Sequence, residues 1–318
     1  MQKISIIIPT FNRRSLLCQA LDSIRNQTFR PVEIIVVDDG SSDGTKEAVQ
    51  VWSRNIEKDE ALTLKYLQQE NRGPGAARNF GLREAAGSFV LFLDSDDMLR
   101  GDGLLQLSSH ATGLAAAVVG GAIELVDIGS VCSRIFLPVA ESGRTALDDY
   151  IRGDLSINCG CWLLSTDLAQ RVPPFPEDMF IAEDSIYFLK LIRECNKVAR
   201  VREQVLALRV HDSGRLTDLG ESLVAIEAEA KYMMECAQLI FSDSSAISVD
   251  TRNQVARKIM RLAVRLWASN RKFSKRLAST AYELNPKASP EYENISAKIL
   301  WRLGGVSLCG LANRIAGR

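Results

Sequence analysis

The sequence is short of the residues that nitrogen/sulfur metal sites and disulfide frameworks require. Its 318 residues include only two histidines, and its seven cysteines show neither a CxxC pair nor any Cys/His zinc spacing. The thiols are odd in number and scattered, with Cys159-Gly160-Cys161 as the one close pair, which fits reduced cysteines in a cytoplasmic protein. No apolar run approaches the roughly 20 residues that cross a bilayer. A signal peptide is not expected either, because Met1-Gln2-Lys3 leads directly into a strand-like run. Three catalytic signatures are also missing. No Gly-Lys-Ser/Thr closes a phosphate-binding loop, no GxGxxG follows the first strand, and no Gly-x-Ser-x-Gly elbow marks a serine hydrolase.

What is present is ordinary in bulk, at 46% hydrophobic and 25% charged residues, and suits one large globular domain or two smaller ones. The formal net charge is zero but unevenly spread. Arg252 to Arg318 holds fourteen Lys/Arg against three Glu, which leaves 25 basic and 36 acidic residues for the remainder. Such a tail suits an anionic partner, a lipid surface or nucleic acid, or is simply a solvated helical face. Its last segment, Ile295–Ile315, mixes apolar and basic residues and reads as an amphipathic helix lying on a membrane or on the protein's own body.

Short apolar runs alternate with helical patterns over the first hundred residues. Ile4–Ile8, Ile34–Val37, Leu62–Leu67 and Phe89–Leu93 read as strands, with helices expected over Ser15–Asn26, Thr45–Arg54 and Gly75–Ala86. This order predicts βαβ units in an α/β fold with a mixed, mostly parallel sheet. Further on, Ala115–Leu125, Cys159–Leu164 and Val205–Val210 read as strands and Glu183–Glu194 as a helix. From Gly220 the pattern is helical, over Glu221–Phe241, Thr251–Asn270 and Phe273–Leu284, until Pro286 and Pro290 break it. The expected division is an α/β domain over 1–218, in halves 1–100 and 101–218, followed by a helical region over 219–318.

Polar segments at the strand ends carry the chemistry. Asp94-Ser95-Asp96-Asp97 follows the buried-strand run Phe89–Leu93 and places three carboxylates at a strand's carboxyl end, where open α/β sheets bind ligands. Carboxylates that close repel one another unless a cation or strong donors offset them, and a divalent metal carrying a diphosphate does so. Asp38-Asp39-Gly40-Ser41-Ser42-Asp43-Gly44-Thr45 ends the second strand. Turn formation and helix capping explain Ser42 to Gly44 but not two adjacent aspartates. Arg72-Gly73-Pro74-Gly75-Ala76-Ala77-Arg78-Asn79 joins glycines that allow close approach to arginines that pair with phosphate or carboxylate. Glu183-Asp184 at a helix start fits simple first-turn stabilisation or a general base. His211-Asp212 ends the last strand run, with Arg215 close by.

Taken in order, these segments resemble the family 2 glycosyltransferases, which have the GT-A fold. Ile6–Arg13 resembles the family's first strand and loop, Val36–Thr45 its nucleotide-binding signature and Gly73–Gly81 a further block. Asp94-Ser95-Asp96 resembles its DxD motif and Glu183-Asp184 its later acidic pair. The resemblance implies an inverting transfer of a sugar from a nucleotide sugar, expected to be UDP-linked, to an acceptor hydroxyl in polysaccharide or glycolipid assembly. It implies that Pro9, Thr10, Asp38 and Asp39 line the nucleoside pocket, with Arg13 and Arg78 as donor contacts. Asp94 and Ser95 would lie towards the sugar or ribose, and Asp96 and Asp97 nearest Mn²⁺ or Mg²⁺. Asp184 would be the base, and His211 would help hold the metal. The acceptor would be a saccharide, a lipid-linked saccharide or a protein, and no nucleic acid is expected as partner. The work would be cytoplasmic, with peripheral contact at the inner membrane face through the basic region. Two alternatives stand beside this reading: a nucleotidyltransferase, which needs a glycine-rich basic loop where Pro9-Thr10-Phe11-Asn12 stands, and a catalytically silent sugar-nucleotide-binding protein.

Overall fold

The computed structural model describes residues 2–111, 117–125, 132–136, 145–155, 158–195, 197–209, 222–243 and 245–286. The chain divides into two compact units, Met1–Arg215 and Leu216–Arg318.

In the first unit, β1 (Ile4–Thr10), β2 (Val32–Asp38), β3 (Leu62–Gln68) and β4 (Phe89–Phe92) form a parallel layer in the order β3-β2-β1-β4. All seven residues of β1 are buried, as expected of a strand covered on both faces. The intervening helices are α1 (Arg14–Arg25), α2 (Thr45–Ser53) and α3 (Pro74–Arg83). Leu17, Ala20, Leu21 and Ile24 give α1 its buried stripe at helical spacing. Gly81 lets α3 lie on the sheet, because a Cβ there would stand 2.4 Å from Ile7 Cγ2.

Beyond β4 the sheet becomes mixed. β8 (Trp162–Ser165) is antiparallel to β4, and β6 (Ala117–Leu125) is antiparallel to β8. β9 (Val198–Arg209) runs parallel to β6, while β5 (Met98–Leu99) and β7 (Cys132–Phe136) pair antiparallel with β9 and β6. Two reversals bring β6 and β9 back to the direction of β4. The carboxyl ends of β1, β2, β4 and β9, and the amino end of β8, therefore share one edge. Helices α4 (Gly103–His110), α5 (Ala146–Arg152), α6 (Thr166–Arg171) and α7 (Glu183–Glu194) complete this unit among the described residues.

The strand expected over Cys159–Leu164 is corrected. Cys159–Cys161 forms a 3₁₀ turn, with the Cys161 N–H bonded to Asn158 O, and the strand begins at Trp162. Gly160 explains the turn's close fit, since a Cβ there would stand 2.7 Å from Leu206. β9 starts seven residues before the expected Val205, its early half hidden in the sequence by Arg200, Arg202 and Glu203. Helices α4, α5 and α6 went unread because each is only six to eight residues long.

The second unit holds α8 (Leu223–Ser242), α9 (Val249–Arg265) and α10 (Arg271–Leu284). Side chains of Ser222, Ser248 and Asn270 cap their first turns by accepting from Ala225, Thr251 and Phe273 N–H groups. Among the described residues no helix is long and apolar enough to cross a membrane. Ile295–Ile315, His211, Asp212 and Arg215 lie outside the described residues.

Candidate active site

The shared strand edge gathers most of the residues that the sequence singles out. After β1, Asn12 takes a left-handed conformation (φ 51°) and ties two loops together. Its N–H donates to Ser41 Oγ at 2.8 Å, and its Oδ1 accepts from Ser42 N at 2.8 Å. Asp38 accepts from Ser41 N at 2.8 Å and from the Tyr66 hydroxyl, whose titration burial and that carboxylate push up. Asp39 accepts from Gln69 Nε2, Arg72 N and Gly73 N, each at 2.8 Å. Its carboxylate thus fixes the course of the 69–73 loop. Gly73 needs its left-handed φ of 89° there, and the Phe180 ring covers it. Thr10 Oγ1 is buried beside these groups with no hydrogen-bond partner, a cost that a ligand would relieve.

The Asp94–Asp97 turn is closed by the Asp97 N–H donating to Asp94 O at 3.0 Å. Arg13 Nη1 donates to Asp96 Oδ2 at 2.7 Å. Arg209, at the end of β9, staples the turn from the far side. Its Nε donates to Asp96 O at 2.5 Å and its N–H to Asp97 Oδ1 at 3.4 Å. The rest of its guanidinium reaches Gln19 Oε1 and Leu16 O on α1. Burial, and then repulsion from Asp94 and Asp96, holds the Asp97 carboxyl well above the usual carboxylate range against the pull of Arg209.

Arg78 joins this turn to the later acidic pair. Its Nη2 donates to Asp94 Oδ1 at 2.7 Å and its Nη1 to Glu183 Oε1 at 2.6 Å. Arg78 and Glu183 are both buried, so loss of either partner would strand the other's charge at roughly 3–5 kcal/mol. A built strap makes the contact possible. Asn79 pairs its side-chain amide with the backbone of Phe175, donating to O at 2.9 Å and accepting from N at 2.9 Å. Gly75 leaves room for Pro176 O, which would stand 2.3 Å from a Cβ at that position. The strap ends at Ala182, whose left-handed φ of 62° turns the chain into α7 and presents Glu183 and Asp184.

Asp184 is half-buried. Its Oδ1 accepts from Ser185 N at 2.7 Å, and the Cys159 thiol lies 3.8 Å from Oδ2. Burial, then the neighbouring Glu183, raise its carboxyl to about 7, while Arg78 pulls the other way. A carboxylate poised there takes up a proton readily at neutral pH. Pro9, Thr10, Asp38, Asp39, Arg13, Arg78, Asp94–Asp97 and Asp184 thus stand at one sheet edge. The sequence reading gave no site role to Tyr66, Gln69, Asn79, Cys159 or Arg209, although Asn79 closes the Arg72–Asn79 segment, Cys159 opens the close cysteine pair and Arg209 is a charge closing an apolar strand.

Among the described residues no three His, Cys, Asp or Glu side chains form a cluster able to hold a metal ion. The donor set nonetheless fits a hard divalent cation. Asp96 and Asp97 offer carboxylate oxygens, and the ionised form of Asp97 lacks sufficient compensation. Such ions commonly take one or two carboxylates and complete their shell with substrate phosphate oxygens.

A model of glycosyl transferase family 2 matches residues 5–165. The GalNAc(5)-diNAcBac-PP-undecaprenol β-1,3-glucosyltransferase of Campylobacter jejuni is 46% identical over 125 residues, covering 39% of either chain. The chain spans about a third to two fifths of the length of the first curated relatives it matches. Among solved structures, Staphylococcus aureus TarS 1–349 in complex with UDP superposes with a TM-score of 0.62 at 22% identity, covering 89% of this chain and 81% of that one. The Pyrobaculum calidifontis mannosyltransferase PcManGT, with GDP-Man and Mn²⁺, superposes with a TM-score of 0.56 at 21% identity, over 96% and 80% of the two chains. The fold is that of the GT-A enzymes, a mixed sheet flanked by helices.

Proposed function

The chain belongs to glycosyl transferase family 2, and we propose that it transfers a glycosyl group from a nucleotide sugar to an acceptor hydroxyl with inversion. One observation carries the proposal: Arg78 holds the carboxylate turn and the acidic pair together, with Asp184 poised near neutrality beside them. In the reaction the acceptor oxygen bonds to the anomeric carbon as the bond from that carbon to the diphosphate breaks. The acceptor's proton passes to Asp184. Attack opposite the leaving group inverts the centre.

Thr10 Oγ1 and the wall built by Asp38 and Asp39 receive the nucleoside. Arg13 and Arg78 supply positive charge towards the diphosphate, and Asp94 and Ser95 lie towards the sugar or ribose. UDP is the nucleotide we propose, with support from the UDP complex of TarS. Asp96 and Asp97 would hold Mn²⁺ or Mg²⁺, with His211 as a further ligand; the cation supplies charge neutralisation of the departing diphosphate. The Mn²⁺ complex of the Pyrobaculum enzyme supports that assignment. The acceptor is a saccharide of polysaccharide or glycolipid assembly. The C. jejuni relative, named for a lipid-linked saccharide, supports a lipid-linked one, and with it a cytoplasmic enzyme working at the inner membrane face.

The test is a panel of nucleotide sugars, read as release of nucleoside diphosphate with and without Mn²⁺ or Mg²⁺. Asp184→Asn is expected to abolish transfer while leaving UDP affinity within a few-fold. Asp96→Asn with Asp97→Asn is expected to weaken UDP binding only when the metal is present. Normal turnover by Asp184→Asn would remove it as the base, and unchanged metal dependence in the double variant would remove those two ligands.

A further inference from the structure

We propose that the α9–α10 hairpin of the second unit is a docking face for an anionic lipid bilayer. Residues 251–282 contain nine Lys/Arg and no Asp or Glu. Lys258 and Arg261 on α9, and Arg271, Lys272, Lys275 and Arg276 on α10, are all exposed. None of these six forms an ion pair with a described residue, whereas cations of the first unit such as Lys3, Arg30, Arg72 and Arg171 do. Both helices turn their apolar residues inward: Val255, Ile259, Leu262 and Ala263 on α9, and Leu277, Ala278 and Ala281 on α10. The cations therefore occupy the outward sides of a packed pair of helices.

Charge alone would suit any polyanion, and the exposed apolar residues of the same unit select the bilayer. Leu223 and Val224 at the start of α8 are 47% and 60% exposed, and the next turn of that helix is tied to the α9–α10 turn by Asn270 Nδ2 donating to Glu227 Oε1 at 3.2 Å. Cations that meet headgroups beside apolar side chains that enter the acyl boundary are the pattern of an interfacial surface. Residues 287–318 are themselves more basic than acidic, five against two, and do not complement the face. The face lies upstream of Ile295–Ile315, which stands outside the described residues. It deepens the lipid-linked reading above but is measured without donor or acceptor, so failure here leaves the transferase reading standing.

The experiment is co-sedimentation of the full chain at physiological salt, with vesicles of phosphatidylcholine alone and with 40 mol% phosphatidylglycerol (about 40%, enough to give a strongly anionic surface). Binding is expected only to the anionic vesicles, falling steeply as salt is raised. The combined variant Arg271→Gln, Lys272→Gln, Lys275→Gln and Arg276→Gln is expected to lose about a hundredfold or more in partitioning, since each cation near an anionic surface contributes several-fold. The control Lys46→Gln, Arg54→Gln, Lys58→Gln and Arg202→Gln removes four exposed cations of the first unit and is expected to stay within about threefold, because the proposed face belongs to the second unit alone. Circular dichroism and thermal unfolding check that both variants fold. Absence of anionic binding, or an equal loss in the control, would overturn the proposal. So would tighter binding to a single-stranded oligonucleotide than to vesicles, or a dimer that the four α10 substitutions dissolve.

Discussion

At the scale of the residue, the site is governed by uneven compensation of charge. Asp184 titrates near 7 in the folded chain because burial and Glu183 outweigh Arg78. The pH profile of kcat/KM is therefore expected to show an acid limb with a midpoint near 7, and a limb near 4 would argue that another group is the base. Stability moves oppositely. At low pH Asp184 is neutral in both states. As pH rises the unfolded chain ionises first, so keeping this carboxyl buried costs stability, and the cost is complete above about 7. Asp184→Asn is thus expected to raise the Tm at pH 8 and to raise it far less at pH 4, a pattern that differential scanning calorimetry can check. The aspartates at the strand ends were legible in the sequence because turn formation and helix capping do not call for adjacent carboxylates, although Asp38 and Asp39 also hold the neighbouring loops. The arginines that balance them were not all legible. Arg209 meets Asp97 across 112 positions, and no local pattern encodes such a pairing.

At the scale of the element, helix α3 and the 175–183 strap act as one part. Asn79 imitates a strand partner for Phe175, so Asn79→Ala leaves a buried N–H and C=O unpaired and is expected to cost about 1–3 kcal/mol. Gly81→Ala forces a methyl group onto Ile7 and is expected to cost about 1–3 kcal/mol through overpacking. Urea unfolding measures both. Because the strap carries Glu183 and Asp184, Asn79→Ala is also expected to lower kcat more than it changes UDP affinity; an equal loss in both would detach the strap from the acceptor side. The parallel strands were readable as unbroken apolar runs. The 3₁₀ turn at Cys159–Cys161 was not, because a buried turn and a buried strand both select small and apolar residues.

At the scale of the whole molecule, the site depends on the reversal of strand direction beyond β4. The sequence predicts a sheet but not its order, since strand pairing is set by contacts that apolar runs leave unspecified. With β8 antiparallel and β9 restored to the first direction, Cys159 and Arg209 reach the edge where β1, β2 and β4 end. Arg209 then cross-links three parts of the first unit: β9, the Asp96–Asp97 turn and α1. Arg209→Gln is expected to destabilise the chain by about 2–4 kcal/mol, as for removal of one member of a buried charged network. It is also expected to weaken metal-dependent UDP binding by loosening the turn, which isothermal titration calorimetry can follow. Loss of stability with UDP affinity intact would make Arg209 purely structural.

One guanidinium, that of Arg78, answers two carboxylates, Asp94 at the strand-end turn and Glu183 beside Asp184. A ligand that drew it away from Glu183 would raise the proton affinity of Asp184, which Arg78 otherwise lowers. Thermodynamic reciprocity requires the converse, that a proton leaving Asp184 alters the hold on that ligand. A change of charge at either carboxylate is in this way felt at the other through a single guanidinium.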